Sequence, residues 1–183
     1  MAKRMINTWP IPDRGGLKAL ASITLGNAIT FFPIKMVNGK NGMYLKMPRS
    51  SEDRMKKQPT CSIRSSGVRF LLTSEVVETY HPDKPWFGEY GHDEPIRVTY
   101  CVKPRFVPNA ERIVADASIE IDGAIRVGGI RMFQLNNRVR LVRFPEHCYR
   151  ENGEYCFRRI IEFHDDWEDK ITTELWAAYD SLI

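Results

Sequence analysis

The feature that most constrains this chain is a segment that occurs twice. Ala21-Ser-Ile-Thr-Leu-Gly-Asn-Ala-Ile-Thr30 returns 96 positions later as Ala117-Ser-Ile-Glu-Ile-Asp-Gly-Ala-Ile-Arg126. At that offset, nine of the 25 positions from Ala21 to Leu45 are identical, and most are apolar or border a turn. Such positions set strand register and turn type, and so specify a fold. A repeat of this length marks a whole folding unit rather than a short solenoid module. The chain therefore divides into a first copy over 1–81, a linker over 82–95 that holds three prolines and two glycines, and a second copy over 96–183.

Local patterning gives each copy the same plan. Met5–Ile11 alternates apolar and polar residues before Pro12-Asp-Arg-Gly-Gly16, a turn signal. Leu17–Leu25 and Ala28–Val37 follow as strands around Gly26-Asn27, and Met43–Met47 as a short strand ended by Pro48. Ser65–Tyr80, with Phe70, Leu71, Val76, Val77 and Tyr80, fits a helix that stops at His81-Pro82. The second copy is expected to place strands at 96–102, 112–121, 124–135 and 139–144, with Asp122-Gly123 as a type I′ turn. A hairpin at Glu151–Glu154 leads into an added strand over Tyr155–Phe163, and Asp165-Asp166 opens a helix over Trp167–Leu182. The fold class is α+β: two repeated lobes, each an antiparallel β-meander with a C-terminal helix.

Copies of roughly 90 residues sit near the lower limit for an independent core, so the two lobes are expected to stabilise each other through a shared interface. No apolar stretch approaches the ~20 residues that cross a bilayer, and no signal-peptide core opens the chain, so a cytoplasmic, membrane-free protein is expected. Cys61, Cys101, Cys148 and Cys156 form no C-x-x-C pair. Cys148, Cys156 and His164 are spaced eight apart, but buried thiols behaving as small apolar groups account for them better than metal ligation. No cofactor or metal is expected. Residues 1–91 hold 14 Lys/Arg against 7 Asp/Glu, whereas 92–183 hold 13 against 16, with seven acids and one Lys after position 159. The first half is thus the candidate anion-binding side.

Ala21-Ser-Ile-Thr-Leu25, Ile34-Lys-Met-Val-Asn-Gly-Lys-Asn-Gly42 and Met47-Pro48 together resemble the SpoVG family of bacterial septation and sporulation regulators. Arg69, Leu72, Val76, Val77 and Tyr80 fit that family's helix pattern R-x-x-I-x-x-x-V-L-x-x-Y. The resemblance spans about residues 5–80. The second copy keeps Ala117-Ser-Ile119, Ile130-Arg-Met132 and Phe144-Pro145, has lost the glycine turn, and carries Glu168 where the first has Arg69. The resemblance implies a sheet-plus-helix dimer that binds DNA or RNA. A tandem copy would then be a covalent pseudo-dimer, monomeric as a chain, with the second half's contribution to binding weakened by its acids.

On that reading the nucleic-acid-binding residues are Arg49, Arg54, Lys56, Lys57, Arg64 and Arg69, from the basic loop and the start of the first helix. Loop cations follow a phosphate backbone, and Ser50, Ser51, Ser65 and Ser66 offer hydroxyls to phosphate oxygens. Arg126, Arg131, Arg138, Arg140 and Arg143 form a second cluster that either extends this surface or pairs with Glu120 and Asp122 across the hairpin. Trp9, Tyr44, Phe70, Tyr100, Phe133 and Trp176 have the chemistry to stack bases, but their spacing favours core roles. The scattered histidines 81, 92, 147 and 164 and the lack of any nucleophile, phosphate-loop or zinc motif argue against an enzyme. The competing reading is a protein-interaction module, an adaptor or inhibitor, whose acidic C-terminal helix docks a basic partner.

Overall fold

A computed structural model describes residues 1–50, 59–105, 112–135 and 139–183. In chain order, β1 (Arg4–Arg14), β2 (Leu17–Leu25), β3 (Ile29–Gly39) and β4 (Gly42–Lys46) form a meander. β5 (Cys61–Ile63), α1 (Ser66–Thr79) and β6 (Trp86–Tyr90) follow. The second half runs β7 (Val98–Pro104), β8 (Ile113–Ile121), β9 (Ile125–Gln134), β10 (Arg140–Arg143), β11 (Glu146–Glu151), β12 (Glu154–Arg159), β13 (Ile161–Phe163) and α2 (Trp167–Asp180). The result is α+β, with two antiparallel sheets, a two-stranded hairpin and two helices.

The internal sequence repeat is matched by a repeat in hydrogen-bonding register. β2 and β3 pair Leu25 with Ile29, Ala21 with Ile34 and Ala19 with Met36. β8 and β9 pair Ile121 with Ile125, Ala117 with Ile130 and Ala115 with Met132, each the first set advanced by 96. Both connecting turns hold two residues of positive φ, Gly26 and Asn27 (54° each) and Asp122 and Gly123 (52° and 63°). This is the type I′ geometry that matches the twist of a hairpin. In each pair one extra residue interrupts the third strand of its half, between Phe31 and Ile34 and between Val127 and Ile130.

The halves also exchange strands. β5 leaves its own sheet and pairs with β9, setting Cys61 opposite Val127 and Ile63 opposite Ile125. β13 pairs with β3, setting Ile161 opposite Phe31 and Phe163 opposite Ile29. The positions occupied on the two host strands, 29–31 and 125–127, are again 96 apart. Flanking bonds repeat as well: Arg64 N donates to Ala124 O (2.8 Å) as His164 N donates to Ala28 O (2.8 Å). Gly128 N donates to Thr60 O (2.7 Å) as Phe32 N donates to Ile160 O (3.2 Å). Burial follows the same logic, since one contiguous core draws Ile6, Ile23, Leu72 and Val76 together with Ile119, Ile130, Ile171 and Leu175.

Three details differ from the sequence expectations. The segment read as a linker contains β6, which pairs Tyr90 with Arg4 and Trp86 with Thr8 and so covers an otherwise open sheet edge. The strand expected over 155–163 is two strands, because β12 turns back on β11 while β13 crosses to the other half. α1 turns Leu72, Glu75, Val76 and Thr79 inward, so Phe70 is left 76% exposed rather than in the core.

Two contacts fix α1. Its N-terminus is capped by Ser65, whose Oγ accepts from Val68 N at 3.1 Å. Ser65→Ala is expected to cost about 1 kcal/mol, measured by urea denaturation with unchanged slope. Deeper in, Glu75 accepts from Arg4 of β1 through both oxygens, at 2.8 Å from Nε and 2.6 Å from Nη2. Both side chains are 7% exposed. Arg4 also donates to Ala2 O at 2.9 Å, and Thr8 Oγ1 to Thr79 O at 3.2 Å, so a polar seam locks helix to strand.

Candidate nucleic-acid interface

Along β9 the inward residues are Ile125, Val127, Ile130 and Met132. Arg126 and Arg131 point outward, although five positions separate them and strict alternation would put them on opposite faces. The extra residue at Gly128-Gly129 restores them to one face. Gly129 has φ of 72°, a conformation that glycine adopts without a Cβ penalty.

Around these two arginines lies a cleft of ≈ 490 Å³ that also takes in Arg64, at the end of β5, and Arg105, after β7. Pro59, Thr60, Ser62, Asp116, Gly128 and Gly129 complete its lining. Asp116 holds Arg105 through two bonds of 2.7 and 2.9 Å, and Glu120 holds Arg64 at 2.8 Å. A constriction of ≈ 40 Å³ shares Gly129 and Arg131 with this cleft and adds Ser50, Arg143 and Phe157. A third groove of ≈ 580 Å³ shares Ser50 and adds Lys35, Lys46, Arg49, His147 and Tyr155.

Shared lining residues set the three spaces side by side, and together they form a basic trough along this face. Among the described residues, eight Lys or Arg line it, against two carboxylates, Asp116 and Glu146. Lys35 and Lys46 are directly opposite on β3 and β4, a like-charge pairing that costs stability unless an anion offsets it. Hydroxyl groups, backbone and guanidinium forks in a channel of this kind are the groups that hold phosphate oxygens.

Of the six site residues expected from sequence, Arg49 lines the third groove and Arg64 the first cleft. The carbonyl of Arg49 meets His147 Nδ1 at 3.1 Å, tying the loop to the β11–β12 hairpin. Arg69 is exposed on the first turn of α1 and is not among the lining residues. Arg54, Lys56 and Lys57 lie outside the described residues. The segment that carries them departs at Ser50 and rejoins at Pro59, both of which line the trough.

The second cluster divides. Arg126, Arg131 and Arg143 join the trough, and Arg138 lies outside the described residues. Arg140 instead donates twice to Asp180 at 2.7 Å and lies over the Trp176 ring at 4.6 Å. That hydrogen bonding holds the Asp180 carboxyl below its ordinary range. In register, Arg126 faces Glu120 and Arg131 faces Asp116. Asp122 accepts instead from the backbone N–H of Ala2 (2.7 Å) and Arg97 (2.8 Å).

Lys35, Lys46, Arg105, His147, Tyr155 and Phe157 were not singled out as site residues from the sequence. Lys35 and Lys46 had a legible signal, since they stand equally far from the Lys40-Asn41 turn and so meet across the hairpin. The candidate stacking residues scatter: Trp176 is buried, Tyr100 and Phe133 are half-buried, and Trp9 packs edge-on to Phe32 at 5.8 Å. Cys148 and Cys156 face Phe157 and Tyr149 rather than each other, which puts the two thiols on opposite faces of the hairpin.

Charge is distributed differently from the half-by-half count. Four trough cations (Arg105, Arg126, Arg131, Arg143) come from the net-negative half. The acids of that half are spent largely on internal pairs: Glu168 with Arg159 at 2.6 Å, Asp180 with Arg140, and Asp166 with Lys170 at 3.2 Å. Among the described residues, no helix is long and apolar enough to cross a membrane.

Comparison with known proteins places these residues in context. The SpoVG family profile matches residues 1–82. The SpoVG protein of Desulforudis audaxviator is 30% identical over 76 residues, covering 41% of this chain and 86% of that protein. Those of Geobacillus thermodenitrificans and Bacillus cereus AH187 are each 28% identical over 78 residues, 43% of this chain and 76% and 75% of theirs. No solved structure matches.

Proposed function

Because this chain belongs to the SpoVG family through residues 1–82, we infer that it is a nucleic-acid-binding regulator whose halves form an intramolecular pseudo-dimer. The trough is the surface that takes DNA or RNA. One observation carries this reading: cations from both halves line three adjoining spaces that share Gly129, Arg131 and Ser50 as lining residues. Arg49 and Arg64 hold phosphates within the trough, and Arg54, Lys56 and Lys57 add to them from the connecting loop. Arg69 adds charge from outside the channel.

The matching registers and the reciprocal strand exchange support descent of both halves from one doubled module, with 82–95 joining them. A tether of this kind supplies the second half at millimolar effective concentration without a new contact. The chain is accordingly expected to run as a monomer of 21.2 kDa in sizing with light scattering. A stable homodimer would count against internal pairing.

Gel-shift titration at low salt with short duplex DNA, single-stranded DNA and RNA tests the binding itself. A shift by micromolar protein with at least one of them is expected. No shift with any of the three overturns the nucleic-acid reading. It would then favour an adaptor or inhibitor, to which the exposed Trp86 and Phe87 rings on β6, 6.4 Å apart, are suited.

A further inference from the structure

We propose that the β11–β12 hairpin is a stacking arm that makes the trough selective for unpaired nucleic acid, with bases seated on Tyr155 and Phe157. The proposal rests on the trough being a nucleic-acid surface and specifies which form of nucleic acid it takes. Residues directly opposite in the hairpin share a face, so Glu146, Cys148, Arg150, Tyr155, Phe157 and Arg159 project together, with Glu146 held by Arg143 at 3.0 Å. Cys148 and Tyr155 line the third groove and Phe157 the constriction, while from the other face only His147 reaches the groove, so this face is the one turned mainly toward the cations. Both rings are large, apolar and open, 72% and 61% exposed.

Two rings left in water beside a cationic channel call for an occupant that is both polyanionic and aromatic. A duplex presents phosphates but keeps its base faces inside the stack, whereas an unpaired strand presents both. Spacing agrees. Same-face residues two apart on a strand are separated by about 6.8 Å, roughly twice the 3.4 Å rise per nucleotide of a stacked strand. The rings therefore have room for one base between them or for splayed bases one on each. Arg150 lies over the Tyr155 ring at 5.7 Å and donates through Nε to Gly153 O at 3.1 Å, so its terminal nitrogens are the groups placed to meet the phosphate next to a stacked base.

Fluorescence anisotropy of the full chain with labelled oligo(dT) and with a blunt-ended DNA duplex of equal charge, at one fixed salt concentration, tests this. Tighter binding to oligo(dT) is expected. Tyr155→Ala and Phe157→Ala are each expected to weaken oligo(dT) binding roughly 5- to 150-fold while changing duplex binding little. Tyr155→Trp is expected to retain most of the affinity. Ultraviolet crosslinking to oligo(dT) should mark peptides containing residues 155 and 157. Equal affinity for both probes, with Y155A and F157A indistinguishable from wild type, overturns the stacking arm and leaves the basic trough standing. Absence of binding to either probe overturns the trough as well. Unchanged thermal midpoints in the variants confirm that a loss reflects contact rather than unfolding.

Discussion

Replacing Arg4 by Met is expected to destabilise the protein by about 3–5 kcal/mol, because Glu75 would be left charged and buried without a counter-ion. Both groups are nearly inaccessible, and the pair closes through two short bonds that no surface water can replace. Glu75→Gln should cost a comparable amount by stranding the guanidinium. The double variant Arg4→Met/Glu75→Leu should recover much of the loss, since apolar packing often substitutes for a buried pair at little net cost. The second half supports that expectation. In β7 the register position of Arg4 is held by an apolar residue, Val98. Urea denaturation of the three variants at neutral pH measures each cost and the coupling between them. Single variants within 1 kcal/mol of wild type would show that the seam between β1 and α1 is not what holds the helix.

Separating the halves should have an all-or-none effect. Residues 1–95 alone would lose β13 from the edge of β3 and would leave β5 without its host strand. Positions 29–31 of one copy and 61–63 of another complement each other, because 125–127 hold the same register positions in β9 as 29–31 do in β3. The isolated first half is therefore expected to fold as a homodimer, with Cys61 opposite Phe31 and Ile63 opposite Ile29 across the new interface. At concentrations below the dimer's dissociation constant it should unfold, so its thermal midpoint should rise with protein concentration, as for an obligate dimer. A folded monomer with a concentration-independent midpoint would mean that exchange between halves is dispensable.

The sequence revealed the elements better than their partners. Leu17–Leu25 is a strand in sequence and structure because its apolar residues meet a single buried face, and Gly26-Asn27 and Asp122-Gly123 announce their turns through residues that tolerate positive φ. Ser65 and Tyr80 likewise bound α1 at both ends. The exchange was not legible: Cys61–Ile63 and Ile161–Phe163 are three residues each, too short to carry a period. Their pairing is decided by the open edges of β3 and β9, which only the folded sheets create. β6 was hidden by the prolines around it, and by exposed Trp86 and Phe87, which do not look like an edge strand's solvent side.

The same distinction explains the site. Arg49 and Arg64 were visible as basic residues near a loop, but Arg126 and Arg131 reach one face only through a one-residue bulge that alternation cannot anticipate. Arg105 and Arg143 become neighbours of first-half residues only once both halves are assembled. Net charge by half pointed away from the second copy, because it summed acids on α2 together with arginines on β9 and β10. Formal charge per segment is a weak guide where the acids are already matched by their own neighbours.

The most direct measurement is the salt dependence of binding to a short duplex, compared between wild type and Lys35→Gln/Lys46→Gln/Arg143→Gln. All three side chains are on the surface and line the trough, and removing the Lys35–Lys46 repulsion should hold the variant's melting point at or above that of wild type. With about six phosphates neutralised, log affinity against log salt should fall with a slope near −5, and the triple variant should reduce that slope by about 2–3. A slope that the three substitutions leave unchanged, or an affinity indifferent to salt, would show that nucleic acid does not lie in this channel.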